Sequence, residues 1–414
     1  MKRAGYAILV VAFIIRAASA YLYPLSNRLF SDMANYSKIA EDLLTGTWRP
    51  THFFQPIGFP FVVAFFKLAF RNWTQALAVY QSIIGAASVW LMWKAAEKSF
   101  GPRVGFAALV VGAFHVQWLG FNLFAISENT FAFLLSLLLW VSLKVVQQPS
   151  YAWSAAWGVV FIAAMWIKST HVFLAPLFVL GILHWKRQPW SAALKMVAPI
   201  VAVICAGLVL HGALAYRTIG TFQLTASAGG LNFIEGKCPS KVNRDSAGNQ
   251  WFSPLYSQLD MFQRKQWDRP FIDSAYFMRE GLRCIRNDPF VLVQSLENIP
   301  FLFVGNFAWP LDQLSVRPII RLYELFFSIA LVAGLLVCLR SCWPASNRRY
   351  DLFLVWGAPI LGLFICVYVF KSEIRFRVPF DVYFIPLAVR GWMSIIFSSS
   401  PAQPSESRLT PSIN

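Results

Sequence analysis

Charge is what this sequence has little of. Of its 414 residues only 13% are Asp, Glu, Lys or Arg, against roughly 25% in soluble domains. A chain so poor in charge needs a solvent other than water over much of its surface, which excludes an ordinary soluble enzyme. Acids are scarcer than bases, 19 against 36, which leaves a net charge of +17. Histidine is scarce as well. Five residues without paired spacing make no ligand set, so no metal site is inferred. Six cysteines show no metal-ligand spacing either. No internal repeat with a period of roughly 20–50 residues is present, which sets repeat architectures aside.

What fills the chain is apolar: 57% hydrophobic and 16% aromatic residues. Trp and Tyr favour membrane interfaces. Apolar runs fall near 6–23, 73–94, 104–120, 124–146, 152–168, 170–185, 192–215, 319–340, 351–370 and 378–397. Since about 20 such residues cross a bilayer, the pattern predicts an all-α polytopic membrane protein with about ten transmembrane helices. A shorter run, 56–70, predicts an interfacial or re-entrant segment.

Basic residues sort the loops. If the N-terminus is inside and 56–70 does not cross, one side receives Lys94, Lys98, Arg103, Lys144, Lys186, Arg187, Arg340, Arg348 and Arg349. Cytoplasmic loops are enriched in Lys and Arg, so this side is inside and both ends are cytoplasmic. The same distribution explains the net charge without a nucleic-acid partner. Met1-Lys2-Arg3 before an apolar run, with Ala18-Ser19-Ala20 behind it, has features of a cleavable signal. Arg16 within that run, and the many runs that follow, favour a retained first helix.

The domains expected are an N-terminal transmembrane domain, 1–216, with a first outer loop, 24–72; an outer lobe, 217–317; C-terminal transmembrane helices, 318–398; and a Ser/Pro-rich cytoplasmic tail, 399–414, read as disordered. Cys238 and Cys284 lie in the outer lobe. An oxidising compartment allows them a disulfide; two free thiols are the alternative.

In the first outer loop, Met33, Tyr36, Ile39, Ala40, Leu43 and Leu44 share one face of an amphipathic helix. Ser31 or Asp32 would cap its start and Gly46 would stop it. Such a helix lies flat on the outer leaflet. Asp32 has two readings there: a helix cap, or a general base that takes a proton from an acceptor hydroxyl. Gln55-Pro56-Ile57-Gly58-Phe59-Pro60 forces a turn and then an entry into apolar structure. Tyr36 and Gln55 join the substrate-binding candidates.

Late in the chain, Lys371-Ser-Glu-Ile-Arg-Phe-Arg-Val-Pro-Phe-Asp381 is the densest charge near an outer boundary. Lys371, Arg375 and Arg377 suit a phosphate, because guanidinium offers it a planar fork of donors. A snorkelling collar at a helix end is the alternative. Isolated ionisable residues in or near spans face a bundle interior or a cavity. Arg16 is the deepest, and either pairs with an acid or reaches a donor phosphate. Glu128 opens the fourth span, while Lys168 and His171 straddle an outer turn; these, with Glu373, are further substrate-binding candidates.

Together these pieces resemble the C-type membrane glycosyltransferases (GT-C), in the branch of the protein O-mannosyltransferases and lipid A aminoarabinose transferases. The resemblance rests on Arg16 in the first helix, Asp32 early in the first loop, the 33–44 helix and the Pro56-to-Pro60 turn. It continues with Glu128 opening the fourth helix and the Glu373-to-Pro379 stretch, all in order. One departure stands out: many relatives carry an Asp-Glu pair where this chain has Asp32-Met33. The resemblance implies a polyprenyl-phosphate-linked sugar donor and transfer with inversion to a glycan, lipid or protein acceptor. Asp32 would act as base, and Arg375, Arg377, Lys371 and Arg16 would serve the donor phosphate. Some relatives use a divalent ion near the first-loop carboxylates; without the paired Glu, no catalytic metal is expected here. The lobe around Gly229-Gly230-Leu231-Asn232 and Trp251 would receive the acceptor.

The rivals are a transporter or flippase of lipid-linked sugar and a non-catalytic protein that binds glycan lipids. The compact chain points to a bacterial inner membrane, with the site facing the periplasm or exterior.

Overall fold

The computed structural model describes residues 1–184, 189–239, 242–244, 250–252, 274–304, 310–311, 314, 316–342 and 347–397. The tail 399–414 and the basic pair Lys186 and Arg187 lie outside them.

The chain is an integral membrane protein built from helices. Among the described residues six are long and apolar enough to cross a bilayer: Lys2–Leu22, Trp73–Phe100, Glu128–Gln147, Trp190–Ile219, Arg317–Ser341 and Tyr350–Val369. The expected runs 104–120, 152–168 and 170–185 appear as shorter apolar helices, Pro102–Ala113, Tyr151–Ile167 and Leu174–Leu183. The last run forms Asp381–Ile396. Burial sorts the long helices into layers. The most apolar windows of 73–100 and 128–147 are 61% and 72% buried, whereas those of 2–22 and 190–219 are each 22% buried. The first pair therefore forms a central column, and the second pair leaves most of its surface for lipid.

Local chemistry sets the joints. Gly101, at φ +96°, breaks helix 73–100, and Pro102 starts the next one, where a missing N–H costs nothing. A Cβ at Gly391 would meet the Gly334 carbonyl oxygen at 1.9 Å, so helices 317–342 and 381–396 cross with their backbones almost touching. The run 56–70 becomes helix Gly58–Ala69. At 1.5 Å per residue, its 12 residues make about 18 Å, short of the roughly 30 Å hydrocarbon core.

The segment between helices 2–22 and 73–100 carries helix Asp32–Leu44, which buries Met33, Tyr36, Ile39 and Ala40, the expected face. It packs on helix 58–69, with the Tyr36 and Phe59 rings edge-to-face at 5.1 Å. Between residues 217 and 317 the described parts include helices Ala228–Lys237 and Ser274–Asn287. A small apolar cluster of Ile234, Cys238 and Phe277 lies between them, and a Cys238–Cys284 disulfide spans a Cα–Cα distance of 5.5 Å. The expected all-α fold class holds, with one short addition. Residues 242–244 pair antiparallel with 250–252, Val242 opposite Phe252.

Candidate active site

Asp32 is the first residue of its helix, and its carboxylate does not cap it. No side-chain cap bond forms at this N-terminus, and the preceding Ser31 stands at φ +49°, a conformation that costs a non-glycine residue. The carboxylate instead turns to other elements. Oδ1 accepts a hydrogen bond from Gln55 Nε2 at 3.0 Å, and Oδ2 lies 3.3 Å from Arg375 Nη1. Gln55 is placed by the turn that leads to Gly58. A Cβ at Gly58 would meet the Trp166 carbonyl oxygen at 2.6 Å, so glycine lets the loop press against the end of helix 151–167.

Arg375 continues the chain of charge. Its Nε lies 2.6 Å from Glu373, whose other oxygen is 3.1 Å from Lys371 Nζ. Lys371 in turn lies 2.9 Å from Glu235, on the helix 228–237. That helix reaches Lys371 because Gly236 presses on the loop: a Cβ there would meet the Phe370 carbonyl oxygen at 2.3 Å. On the other flank Lys168 Nζ is 2.6 Å from Glu128 and 5.4 Å from the centre of the Phe376 ring.

Electrostatics follow from this packing. Burial by itself would raise the Glu373 carboxyl; Arg375 and Lys371 overcome it and hold the group down at about 2. Burial opposes the charge of Arg375 and Lys371 too, but neighbouring carboxylates keep both firmly protonated. Burial, helped by Asp32 and Glu128, pushes the Tyr36 phenol up, so it stays a neutral hydrogen-bonding group. Four carboxylates, Asp32, Glu128, Glu235 and Glu373, thus meet three cations, Lys168, Lys371 and Arg375. Asp32 and Arg375 remain about one-fifth exposed, at 23% and 20%. The arrangement offers a reachable carboxylate beside a guanidinium.

Three expected members sit elsewhere. Arg377 is fully buried and held by Glu324 at 2.6 Å and Asp381 at 3.2 Å. It belongs to a network in which His115 lies 2.9 Å from Asp381 and Gln117 donates to Glu324. Residues 374–377 form a helical turn, so Arg375 and Arg377 point in different directions: the first serves the Asp32 cluster and the second locks helices 317–342 and 381–396. Arg16 is likewise fully buried. Its Nη1 donates to the carbonyls of Ala12 and Ala113, and the expected acidic partner is absent among the described residues. His171 has each ring nitrogen 3.1 Å from a backbone carbonyl, of Lys168 and of Phe161. It holds the turn that presents Lys168 and has no edge left for a substrate. Gly230 faces Ser274 and serves packing, while the Trp251 side chain lies outside the described residues.

Sequence reading missed Glu235 and the partners of Arg377. Nothing local marks Glu235, since its role depends on the approach at Gly236. Among the described residues no three His, Cys, Asp or Glu side chains converge as metal ligands.

Residues 54–211, 158 of 414, match the family described as dolichyl-phosphate-mannose-protein mannosyltransferase. That match starts after Asp32 and stops before Lys371. The oligosaccharyltransferase of Archaeoglobus fulgidus, solved with a tethered acceptor peptide containing the NVT sequon, superposes with a TM-score of 0.55 at 13% identity. The overlay takes in 96% of this chain and 50% of that one. The chain has a GT-C fold. The chain spans about half the length of the archaeal enzyme. A second structure of that enzyme, with zinc and sulfate, overlays at a TM-score of 0.47 and 14% identity, over 94% of this chain and 51% of that one. No curated protein matches the GT-C chain.

Proposed function

We propose that the protein is a membrane glycosyltransferase that moves a sugar from a polyprenyl-phosphate donor to an acceptor hydroxyl at the outer face of the membrane. The observation that carries this reading is the contact of Asp32 with both Gln55 and Arg375. It sets a carboxylate acceptor for a proton next to a cation suited to a leaving phosphate.

In the proposed reaction the acceptor hydroxyl donates its proton to Asp32 as its oxygen attacks the anomeric carbon. The bond from that carbon to the phosphate oxygen breaks, and its electron pair leaves on the phosphate, so configuration inverts. Charge developing on the leaving group is met by Arg375, with Lys371 next in line; such fixed cations act most strongly where water is excluded. The incoming phosphate competes with Asp32 for the Arg375 guanidinium, which leaves the carboxylate with Gln55 alone. Phosphate is a good leaving group, so one carboxylate suffices where glycoside hydrolysis needs two. Arg377 and Arg16 have no direct part in this scheme. No resident cofactor is invoked; a divalent-ion requirement is checked by assaying transfer with and without EDTA.

About ten spans and cytoplasmic ends fit the charge distribution of the short loops; a bacterial inner membrane and an outer lobe at 217–317 complete this reading. The test is comparison by mass spectrometry of envelope glycans from a strain with and without the gene. Loss of one sugar residue on deletion, with its polyprenyl-linked form accumulating, supports transfer. An unchanged glycan profile contradicts it.

A further inference from the structure

We propose that the acceptor occupies a cavity of about 270 Å³ lined in part by Gln55, and that it is a glycan carrying an anionic group. This rests on the glycosyltransferase reading above and adds to it a location and a chemical class for the acceptor.

The cavity lies between the helix 32–44 and the loop 49–55. Its polar lining is Asn35, Lys38, Asp42, Arg49, His52 and Gln55, with Thr51 beside them. These are hydrogen-bonding groups of the kind that bind hydroxyls. Position argues for the acceptor. Gln55 lines the cavity and donates to Asp32 at 3.0 Å, so one amide joins the cavity wall to the proton acceptor. A molecule seated there meets the Gln55 side chain, and its reacting hydroxyl has to extend past that amide to reach Asp32.

Charge argues for the class. Asp42 is the acid in the lining, and it is already engaged. The Arg49 backbone N–H donates to His52 Nδ1 at 3.3 Å, so the hydrogen of the neutral ring sits on Nε2 and is donated to Asp42 at 3.1 Å. Burial opposes a charge on His52, so the formal charge of Asp42 is balanced by Arg49 at 3.7 Å. Lys38 is then left over. It is exposed, and no acid among the described residues forms an ion pair with it. One uncompensated cation beside a half-exposed guanidinium, in a wall of amides and hydroxyls, fits a sugar bearing a carboxylate or a phosphate.

The loop is also anchored in a way that keeps the cavity open. The carbonyls of Phe53 and Phe54 accept from the N–H groups of Ser227 and Ala228 at 2.9 and 3.0 Å. This ties the cavity floor to the start of the segment that carries Glu235.

The experiment uses the full chain in detergent, polyprenyl-phosphate sugars from wild-type membranes as donor, and glycolipid extracted from the deletion strain as acceptor. Three acceptor preparations are compared: untreated, carboxyl-reduced and dephosphorylated. The enzymes are wild type, Lys38→Glu, Arg49→Glu and the double variant. Arg49→Glu sets a second carboxylate beside Asp42, so thermal unfolding is measured for each variant, and Lys38→Glu, at an exposed position, carries the test if Arg49→Glu loses folded protein. With wild type, one of the two treated acceptors is expected to lose at least tenfold in kcat/KM, and which one it is names the anion. The double variant is expected to raise KM for the untreated acceptor at least tenfold, with kcat and the donor KM within twofold. Full activity on both treated acceptors, or an unchanged acceptor KM in the double variant, overturns the proposal while leaving the glycosyltransferase reading intact. Absence of transfer by wild type to the untreated acceptor overturns both.

Discussion

Arg375 and Asp32 are 343 residues apart in sequence, and their side chains lie 3.3 Å apart. The contact joins the loop after the first helix to the loop before helix 381–396, and it unites the two parts of the sequence to which the proposed reaction assigns chemistry. Neither part has a reactive arrangement by itself.

Arg375→Gln is expected to lower kcat by about 10²–10³-fold, the usual cost of removing one group that stabilises charge in a transition state. Arg375→Lys keeps the charge but loses the fork geometry, so it should fall between wild type and Arg375→Gln. Rates at matched protein levels decide this. Equal rates for wild type and Arg375→Gln would remove the guanidinium from the chemistry.

Glu235→Gln is expected to slow transfer about tenfold, the scale of coupling within a charge network. Lys371 would lose one of its two carboxylates, and the Glu373–Arg375 pair would lose its outer support. Glu235→Asp should recover part of the rate. A merely structural role would instead lower the amount of folded protein and leave the rate per molecule unchanged.

Arg377→Ala separates support from catalysis. Removing the guanidinium leaves Glu324 and Asp381 without a cation in a buried site, a loss of about 3–5 kcal/mol by precedent for broken buried pairs. Thermal unfolding in detergent should show a large drop for Arg377→Ala and a small one for Arg375→Gln.

The acid limb of stability has a defined window. The Glu373 carboxyl is depressed from 4.5 to about 2, so its stabilising contribution is fully present above about 4.5 and fades as pH falls towards 2. The wild type should therefore unfold at a higher temperature than Glu373→Gln near neutrality, and the difference should close as pH drops through that window. A gap that stays constant down to pH 2 would contradict the charge network.

Much of this was legible before the structure, and the reasons are physical. The amphipathic face of helix 32–44 follows from 3.6-residue periodicity, and the shortness of helix 58–69 follows from its short apolar run. The ionisable residues beside apolar runs, Asp32, Glu128, Lys168, Glu373 and Arg375, do converge, because charge next to a membrane has few stable places to go. The direction each side chain takes was not legible. Arg375 and Arg377 look equivalent in sequence, yet one helical turn sends them to different networks. Arg16 reads as an ion-pair partner or a ligand of the donor phosphate, and its Nη1 instead donates to backbone carbonyls. Glu235 enters because a glycine lets two backbones meet, a fact of three-dimensional packing that no local pattern records.

The most direct test of the account is Asp32→Asn. The substitution keeps the shape and the reach to Gln55 but removes the proton acceptor. Mass spectrometry of envelope glycans from the deletion strain, complemented with wild type or with Asp32→Asn at equal membrane levels, reads the result. The account predicts that wild type restores the missing sugar and that Asp32→Asn does not, while the variant protein remains folded. Equal restoration by both would show that Asp32 is not the base and would contradict the proposed mechanism.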